Sequence, residues 1–344
     1  NYPNQEDKNL LNNSITLAKT DNFDASEVVI GCIGAGNYAS RMLIPAFKAA
    51  GAKLDTLVTS GGISAVFHGK KNDFLTASTE TAVLYDNPSI NTIVIATQHN
   101  QHARQVCEAL RAGKHVFVEK PLALTKKELE VIRTAYEEQK GKCRLMVGFN
   151  RRFAPQLQRM KKLLEPVSGP KAIVMTMNAG AIPQNHWTQD QDVGGGRIIG
   201  EACHYIDLMR YLVGNKIVSF SATCVGSNSV IEVIEDIASI TLSFEDGSLG
   251  TIHYLANGGK AFPKERIEVF ADQGVLQLDN FRKLIGYNWI GFNQKRAFKQ
   301  DKGQSECTRS FVQAIMNGDE MPISIDEIFE VTEVAIDIAL QLRE

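Results

Sequence analysis

A glycine-rich turn between two predicted elements constrains the fold of this chain most. The hexapeptide GAGNYA at 34–39 directly follows the apolar run Val28 to Ile33 and opens a segment of helical periodicity. Glycines at a strand-to-helix turn let the backbone approach a pyrophosphate, whose charge the first N–H groups of the helix meet. A plain structural turn is the alternative, because three small residues alone are a weak signal. We expect cofactor contacts from Gly34, Gly36, Asn37 and Tyr38.

The first part of the chain alternates short apolar runs with helical segments. Strands are predicted at Leu54 to Val58, Thr92 to Ala96, His115 to Val118 and Leu145 to Val147, and Pro45 is expected to kink or restart the first helix. Continuous apolar strands separated by helices indicate a parallel sheet covered on both faces. We predict a polar leader at 1–26 and a doubly wound α/β Rossmann domain at 27–150.

A different pattern follows residue 150. Two helices, from Pro155 to Leu164 and from Arg197 to Leu212, precede long strand-like runs joined by turn signals, such as Asp246-Gly247. Strands are predicted at 217–225, 231–244, 249–255, 266–270 and 275–278, and two helices at 306–316 and 325–342 end the chain. We therefore predict an α+β domain at 151–344 with a large open mixed or antiparallel sheet.

The charge balance and the cysteines exclude several classes of protein. The 344 residues carry 37 Lys and Arg against 39 Asp and Glu, so no general attraction to nucleic acid or anionic membrane is expected. No apolar run approaches the roughly 18 residues of a membrane helix, and no signal segment is seen. The six cysteines are scattered without zinc-ligand spacing. We predict a cytoplasmic protein with no metal site.

The choice between NAD and NADP is open at this stage. The acidic residue that binds the adenosine ribose stands about 20 residues after the glycine turn, at the end of the second strand. Asp55 has the right spacing but falls inside the predicted strand, so we interpret it as a structural residue. Thr59 and Ser60 at the strand end can hydrogen-bond either cofactor.

Several motifs together resemble one oxidoreductase family. The segments GCIGAG at 31–36, TQHNQH at 97–102, GKHVFVEKPL at 113–122 and GGG at 194–196, followed by His204 and Asp207, are similar to the glucose–fructose oxidoreductase, inositol dehydrogenase and rhizopine-catabolism family (Gfo/Idh/MocA). The stretches 147–153 and 196–208 resemble a subgroup in which this module follows a zinc-alcohol-dehydrogenase-like half.

The resemblance implies roles for particular residues. Lys120 would bind the substrate hydroxyl near the nicotinamide, and His204 would be the acid/base. Glu201, His204 and Asp207 lie three residues apart on one predicted helix, so a carboxylate is expected to orient the imidazole. The further cofactor contacts implied are Thr59, Ser60, Thr97, Gln98, His99, His102, Glu119 and Lys120.

Five residues have more than one interpretation at the level of the sequence. His204 is otherwise a half-buried histidine hydrogen-bonded to Asp207, and His102 a solvent-facing residue at a helix start. Arg151 and Arg152 either bind a substrate anion or form an interdomain salt bridge. Trp187 is either a lid over a sugar ring or an ordinary packing residue.

One position departs from the family pattern. Dehydrogenases of the family commonly carry an Asp four residues before the histidine, where this chain has Gly200. Glu201 is adjacent but points about 100° further round a helix, so whether it replaces that Asp is open.

The leading hypothesis is an NAD(P)-dependent oxidoreductase that transfers hydride to or from a secondary alcohol or ketone of a sugar, nucleotide-sugar or cyclitol. The alternatives are a redox-neutral NAD-dependent glycosidase or lyase and a non-catalytic NAD(P)-binding regulator. The resemblance also implies a homo-oligomer formed through the C-terminal sheet, with the sugar-like molecule as the partner.

Overall fold

The computed structural model describes residues 13–18, 23, 26–226 and 233–344, so most of the predicted leader lies outside the described residues. The first sheet has seven strands: β1 (Ser14–Thr16), β2 (Val29–Ile33), β3 (Lys53–Val58), β4 (Thr76–Ser78), β5 (Thr92–Ile95), β6 (His115–Val118) and β7 (Leu145–Val147). Their order is β1-β4-β3-β2-β5-β6-β7, with β1 antiparallel to β4 and the other pairs parallel. The predicted Rossmann sheet is confirmed.

The helices between these strands cover both faces of the sheet. They are α1 (Ile44–Ala49), α2 (Gly62–Asn72), α3 (Ala82–Tyr85), α4 (His102–Arg111) and α5 (Lys126–Glu137). A π-helical turn, Ala39–Leu43, leads into α1, so the helix changes its geometry near Pro45, where a kink or restart is predicted. A capping box is present at Thr125, with its hydroxyl accepting from the backbone N–H of Glu128.

The second half forms a mixed eight-stranded sheet. Its strands are β8 (Ala172–Asn178), β9 (Ile217–Cys224), β10 (Ile237–Phe244), β11 (Leu249–Leu255), β12 (Glu265–Ala271), β13 (Gly274–Asp279), β14 (Lys283–Tyr287) and β15 (Gln294–Arg296). Among the described residues the order is β15-β14-β13-β12-β8-β11-β10-β9, with β8 and β11 parallel and the other neighbours antiparallel. Side chains alternate between buried and more exposed along β8 and β11, so one face of this sheet packs against helices and the other is open.

Four helices complete the second half: α6 (Pro155–Leu164), α7 (Cys203–Val213), α8 (Gln304–Asn317) and α9 (Ile325–Arg343). α8 returns to the first half, where Phe311 packs edge-on against Phe47 and Phe117. Within the described residues, no helix has both the length and the apolar character that a membrane crossing requires. Because Phe311 of α8 packs against side chains of the first half, the two halves share one hydrophobic core. The boundary at residue 150 stays a prediction.

Several features differ from the predicted elements, among them the strands β4, β8, β14 and β15, which were not predicted. The helix expected from Arg197 begins as a π-helical turn, Ile198–Ala202, before α7 starts at Cys203. The strand expected at 231–244 begins only at Ile237, after a short 3₁₀ turn, and residues 231 and 232 lie outside the described part. Residues 14–16 of the predicted leader form β1 on the edge of the first sheet.

Candidate active site

A cleft opens at the carboxyl ends of the parallel strands, where the second half of the chain meets the first sheet. It contains a cavity of about 1370 Å³ beside the glycine turn and an adjoining polar cavity of about 270 Å³. Five side chains line both cavities: His99, Lys120, Arg151, Trp187 and His204. We call these five side chains the shared wall, since a molecule in one cavity would meet a molecule in the other there.

The glycine turn has the geometry that the sequence predicts. Gly34 has a φ of +99°, and a Cβ there would lie 2.3 Å from the carbonyl oxygen of Ala96, so only glycine fits. The Cβ position of Gly36 has no atom within 4 Å, so a ligand can approach the backbone closely. Asn37 and Tyr38 line the same large cavity. All four predicted turn residues are therefore brought together.

Asp55 lies outside the cavity lining, as interpreted from its place inside β3. Its carboxylate is buried and accepts hydrogen bonds from Thr56 Oγ1 at 2.6 Å and Asn87 Nδ2 at 3.1 Å. Thr59 and Ser60 do line the large cavity, although Thr59 Oγ1 donates to the carbonyl oxygen of Gly61 at 2.6 Å. At this strand end, the groups that remain free to hydrogen-bond a ligand are therefore the backbone groups and the Ser60 hydroxyl.

Glu80 is a cavity residue that sequence reasoning missed. It follows β4, a three-residue strand with no apolar run to reveal it, and lies on the large cavity near Thr59 and Ser60. An exposed carboxylate here can accept hydrogen bonds from ribose hydroxyls. An acidic side chain thus lies on the large cavity at the end of the strand next to β3 in the sheet.

His102 braces the cleft from within the protein. Its side chain is 0% exposed, and its ring nitrogens lie 2.7 Å from the carbonyl oxygen of Pro121 and 3.2 Å from that of Thr97. Thr97 Oγ1 in turn donates to Gln105 at 2.8 Å. The solvent-facing alternative for His102 is wrong, because the ring ties the loop after β5 to the loop after β6.

Lys120 connects the two halves of the chain. Its Nζ donates to the carbonyl oxygen of Gly200 in the π-helical turn at 2.7 Å. Burial raises the pKa of the preceding Glu119 to about 7, although Lys120 and Tyr38 favour its charged form. A Cβ at Gly148 would lie 2.8 Å from Glu119 Oε1, so the glycine after β7 leaves room for this carboxylate.

His204 reaches the shared wall without the carboxylate partner that the sequence predicts. It is 5% exposed, and its Nδ1 is buried with no hydrogen-bond partner among the residues that the structure describes. Asp207 instead accepts two hydrogen bonds from Arg152, one of them from Nε at 3.1 Å. Burial and the charges of Arg151 and Lys120 hold the pKa of His204 well below 6.5, so its imidazole is neutral at pH 7.

Arg152 is a structural residue in this arrangement. It is 3% exposed, bonds Asp207 and Glu327, and does not line either cavity of the cleft. Arg152 therefore forms a salt bridge, although with two partners in the second half of the chain and not between the predicted domains. The predicted substrate contact from this guanidinium is not formed, because its hydrogen-bond donors are turned to two carboxylates.

Arg151 lies in the cleft and is held there by partners that no local sequence pattern predicts. Its Nε donates to Glu265 Oε1 at 3.0 Å, and Glu265 also pairs with Lys302 and accepts from the Tyr205 hydroxyl at 2.8 Å. Arg151 and Lys302 both line the large cavity. Two cations therefore share one buried carboxylate at the cofactor side of the site.

Glu201 lines the small cavity, but its hydrogen bonds go to residues other than His204. Its Oε2 accepts from the Tyr254 hydroxyl at 2.6 Å and from Arg197 at 2.9 Å. Burial alone would raise the pKa of Glu201, but Tyr254, Lys264 and Arg197 outweigh it and lower the pKa to about 2. A carboxylate held ionised in this way is a fixed anion and a poor proton acceptor at neutral pH.

This depressed pKa predicts a dependence of stability on pH. The unfolded carboxyl titrates near 4.5, so the stabilisation from ionised Glu201 is fully present above that value and is lost as the pH falls toward 2. We expect Glu201→Gln to lower the free energy of unfolding by about 3 kcal/mol at pH 7 and by clearly less at pH 3. Urea unfolding at both pH values measures this, and an equal loss at both would contradict it.

The glycine run at 194–196 serves internal packing. A Cβ at Gly194 would lie 2.4 Å from Thr188 Cα, and one at Gly196 would lie 2.6 Å from Arg343 Nη2. Arg343 also donates to the carbonyl oxygen of Gly195 at 2.8 Å. The atoms that approach these glycines closely belong mainly to neighbouring parts of the chain, although Gly196 does line the small cavity.

Trp187 and His99 form one side of the small cavity. Trp187 is 37% exposed, and its ring meets the His99 ring edge-on with centroids 4.8 Å apart. Trp187 thus packs on His99 and also lines both cavities, and its role as a lid over a sugar ring stays a prediction. A Cβ at Gly200 would lie 3.0 Å from His99 Cε1, so an Asp at 200 would need the His99 ring to move.

Among the described residues, no group of three or more His, Cys, Asp or Glu side chains is placed to hold a metal ion. The remaining predicted cofactor residues, Thr97, Gln98, Glu119 and Lys120, all line the large cavity. The site is therefore an elongated cleft joined to a compact polar cavity at the shared wall.

Comparisons with known proteins agree with this layout. A family model described as an oxidoreductase family with an NAD-binding Rossmann fold matches residues 28–149, and the model of the GFO/IDH/MocA C-terminal domain matches residues 170–277. Myo-inositol 2-dehydrogenase of Thermotoga maritima is 30% identical over 207 residues, which are 58% of this chain and 60% of that protein. Inositol 2-dehydrogenase of Rhizobium meliloti is 26% identical over 67% of this chain and 72% of that protein.

Solved structures show the same fold. A levoglucosan dehydrogenase in complex with NADH and levoglucosan superposes with a TM-score of 0.81 at 20% identity, covering 92% of this chain and 97% of that one. The matched region spans about three-fifths of the Thermotoga relative and 58% of YrbE, an uncharacterised oxidoreductase of Bacillus subtilis.

Proposed function

The chain belongs to the Gfo/Idh/MocA oxidoreductase family, and from that premise we propose that it is an NAD-dependent dehydrogenase of CH–OH groups in a sugar or cyclitol. One observation carries the proposal. Lys120 and His204 line both the large cavity beside the glycine turn and the small polar cavity. A nicotinamide and a substrate hydroxyl would therefore meet at these two side chains.

The residues of the large cavity fit a dinucleotide. The open backbone at Gly36 and the helical turn after it suit a pyrophosphate. The wall formed by 59–61 and 79–81 carries Glu80 and no Lys or Arg, so it suits a free ribose hydroxyl and would repel a 2′-phosphate. We therefore propose NAD rather than NADP as the cofactor.

The chain's own residues hold the hydroxyl and its proton. When bound, the nicotinamide supplies the redox chemistry by accepting or donating a hydride. Lys120 Nζ, already fixed by Gly200, donates a hydrogen bond to the substrate oxygen and stabilises the negative charge that develops on it. Neutral His204 takes the hydroxyl proton at Nε2, because its Nδ1 is sealed inside the protein.

The small cavity indicates the size of the substrate. Its volume of about 270 Å³ lies at the lower end of small-molecule sites, and Trp187 offers an apolar ring surface at its wall. This combination favours a single sugar or cyclitol ring. The named activities of the inositol and levoglucosan dehydrogenases support that choice.

Gly34→Ala tests the cofactor site. The new Cβ collides with the carbonyl oxygen of Ala96, so we expect the Kd for NAD, measured by calorimetry, to rise about a hundredfold. Gly51 is a matched control, since its φ is +94° and its Cβ position is free of contacts. Gly51→Ala should leave NAD binding unchanged, and equal binding by both variants would remove Gly34 from the site.

Calorimetric titration with NAD, NADH, NADP and NADPH tests the cofactor assignment, followed by turnover assays with myo-inositol, D-glucose and levoglucosan. We expect submillimolar binding of NAD and NADH only and turnover of at least one ring polyol. Preferential binding of NADPH would contradict the role given to Glu80.

The assembly and setting of the protein are separate proposals. The open face of the second sheet and the family resemblance support a homo-oligomer in the cytoplasm, and light scattering of the purified chain tests its oligomeric state. The segments 147–153 and 196–208 support a zinc-alcohol-dehydrogenase-like half as a fused or associated partner. The length of the encoded polypeptide and co-purification from cells test that partner.

A further inference from the structure

We propose that His99 is a specificity-determining residue whose Nε2 accepts a hydrogen bond from a substrate hydroxyl in the small cavity. The sequence assigned His99 to the cofactor, and the position of its ring on the shared wall points to the substrate as well. The inference rests on the proposed function, because it names a group that the same site uses to recognise a polyol.

The partner of Nδ1 sets the tautomer of this ring. His99 Nδ1 lies 2.7 Å from the carbonyl oxygen of Gly194, inside the protein. A carbonyl oxygen only accepts, so Nδ1 must carry the proton. In a neutral imidazole the other nitrogen is then a lone-pair acceptor. Nε2 of His99 is therefore held as an acceptor before any substrate arrives.

Nε2 also has access to the cavity. The ring is 8% exposed, yet its Nε2 makes no hydrogen bond within the described part of the chain and is not fully buried. The ring lines the small cavity beside Lys120, whose Nζ is held at the carbonyl oxygen of Gly200. A donor and an acceptor thus face the same space, as a hydroxyl group requires.

The ring cannot easily turn away from this position. Trp187 packs edge-on against it with centroids 4.8 Å apart, and the His102 ring lies 5.7 Å away on another side. Its Cε1 would contact any Cβ at position 200 at 3.0 Å, so the ring fills the space that glycine leaves there. The acceptor is therefore preorganised, which lowers the cost of binding a hydroxyl.

The two histidines of the shared wall differ in whether a hydrogen bond fixes the tautomer of the ring. His204 Nδ1 has no partner to fix its tautomer, whereas His99 Nδ1 has one. Burial and the charge of Lys120 lower the pKa of His99 to about 3, so it stays neutral at working pH. A neutral ring of this kind accepts a hydrogen bond, and the proposed mechanism assigns the proton transfer to His204 alone. Its loss should therefore appear in KM more than in kcat.

Two isosteric variants separate the two nitrogens. In His99→Asn the side-chain amide can keep the hydrogen bond to Gly194, but no acceptor remains at the Nε2 position. In His99→Gln the side-chain oxygen can reach that position. We expect KM for the ring polyol to rise about tenfold in His99→Asn, with kcat changed less than about threefold, and most of the loss to be restored in His99→Gln. His186→Asn, outside both cavities, is the matched control.

Nitrogen NMR of the NAD-bound wild-type protein, with ¹⁵N-labelled histidine, tests the inference without turnover. Addition of myo-inositol, D-glucose or levoglucosan should shift the His99 Nε2 resonance toward its hydrogen-bonded value, while Nδ1 stays protonated. A shift of the Nε2 resonance without turnover would contradict the dehydrogenase proposal but leave the role of His99 intact. Turnover with an unshifted Nε2 resonance and an unchanged KM in His99→Asn would overturn the role of His99. A protonated Nε2 in the absence of substrate would also overturn it, as would the absence of a shift with all three polyols.

Discussion

Lys120→Ala is expected to lower kcat about a thousandfold while the Kd for NAD changes less than about threefold. Lys120 Nζ is the one lysine ammonium group, among the described residues, that lines both cavities of the cleft, and it is fixed at 2.7 Å from the carbonyl oxygen of Gly200. Its charge matters most when the substrate oxygen becomes negative, so its removal weakens the transition state more than the ground state. Steady-state kinetics and NAD calorimetry on the same preparation measure the two effects.

Lys114 provides a matched control for this variant. Its Nζ is likewise held by carbonyl oxygens, those of Asn87 and Ile90 at 2.8 and 2.7 Å, but it stands just before β6, at the opposite end of the strand. Lys114→Ala should cost stability and leave kcat nearly unchanged. Equal turnover in wild type and Lys120→Ala would remove Lys120 from the mechanism.

Arg152→Met is expected to lower the free energy of unfolding by about 3–5 kcal/mol. The substitution keeps the apolar part of the side chain but leaves two carboxylates, Asp207 and Glu327, without the guanidinium that pairs with them. A buried charge without a partner is costly, and Asp207 is 1% exposed. Urea unfolding at pH 7 measures the loss.

An exposed ion pair gives the comparison for this prediction. Arg309 pairs with Glu306 on the surface of α8, and Arg309→Met should change stability by less than about 1 kcal/mol. A fully stable Arg152→Met protein with a raised KM would instead return Arg152 to the substrate site that the sequence predicted.

The first half of the fold could be predicted from the sequence because its signals are local. The strand before Gly34, the glycine turn and the capping box at Thr125 each lie within a few residues of chain. β1 and β4 could not be predicted, since each is a three-residue strand without the apolar run that reveals the equally short β7. β8 was missed too, although it links both halves of the second sheet.

The site was predictable in its members more than in its contacts. Lys120, His204 and Trp187 meet in the cleft as expected. The spacing of Glu201, His204 and Asp207 predicted one connected face, but Glu201 pairs with Arg197 four residues before it and Asp207 with the distant Arg152. The partners involved, such as Arg152 and Asp207, are 55 residues apart, and no periodicity encodes such a pairing.

The central claim is that this cleft oxidises a polyol hydroxyl at the expense of NAD. The most direct measurement follows the absorbance of reduced nicotinamide and the carbonyl product together, with purified protein, NAD and each ring polyol. We predict one NADH for every carbonyl formed, with both lost in Lys120→Ala. Product formed without net NADH, or tight NAD binding with no product from any polyol, would contradict the claim and favour a redox-neutral enzyme or a regulator, respectively.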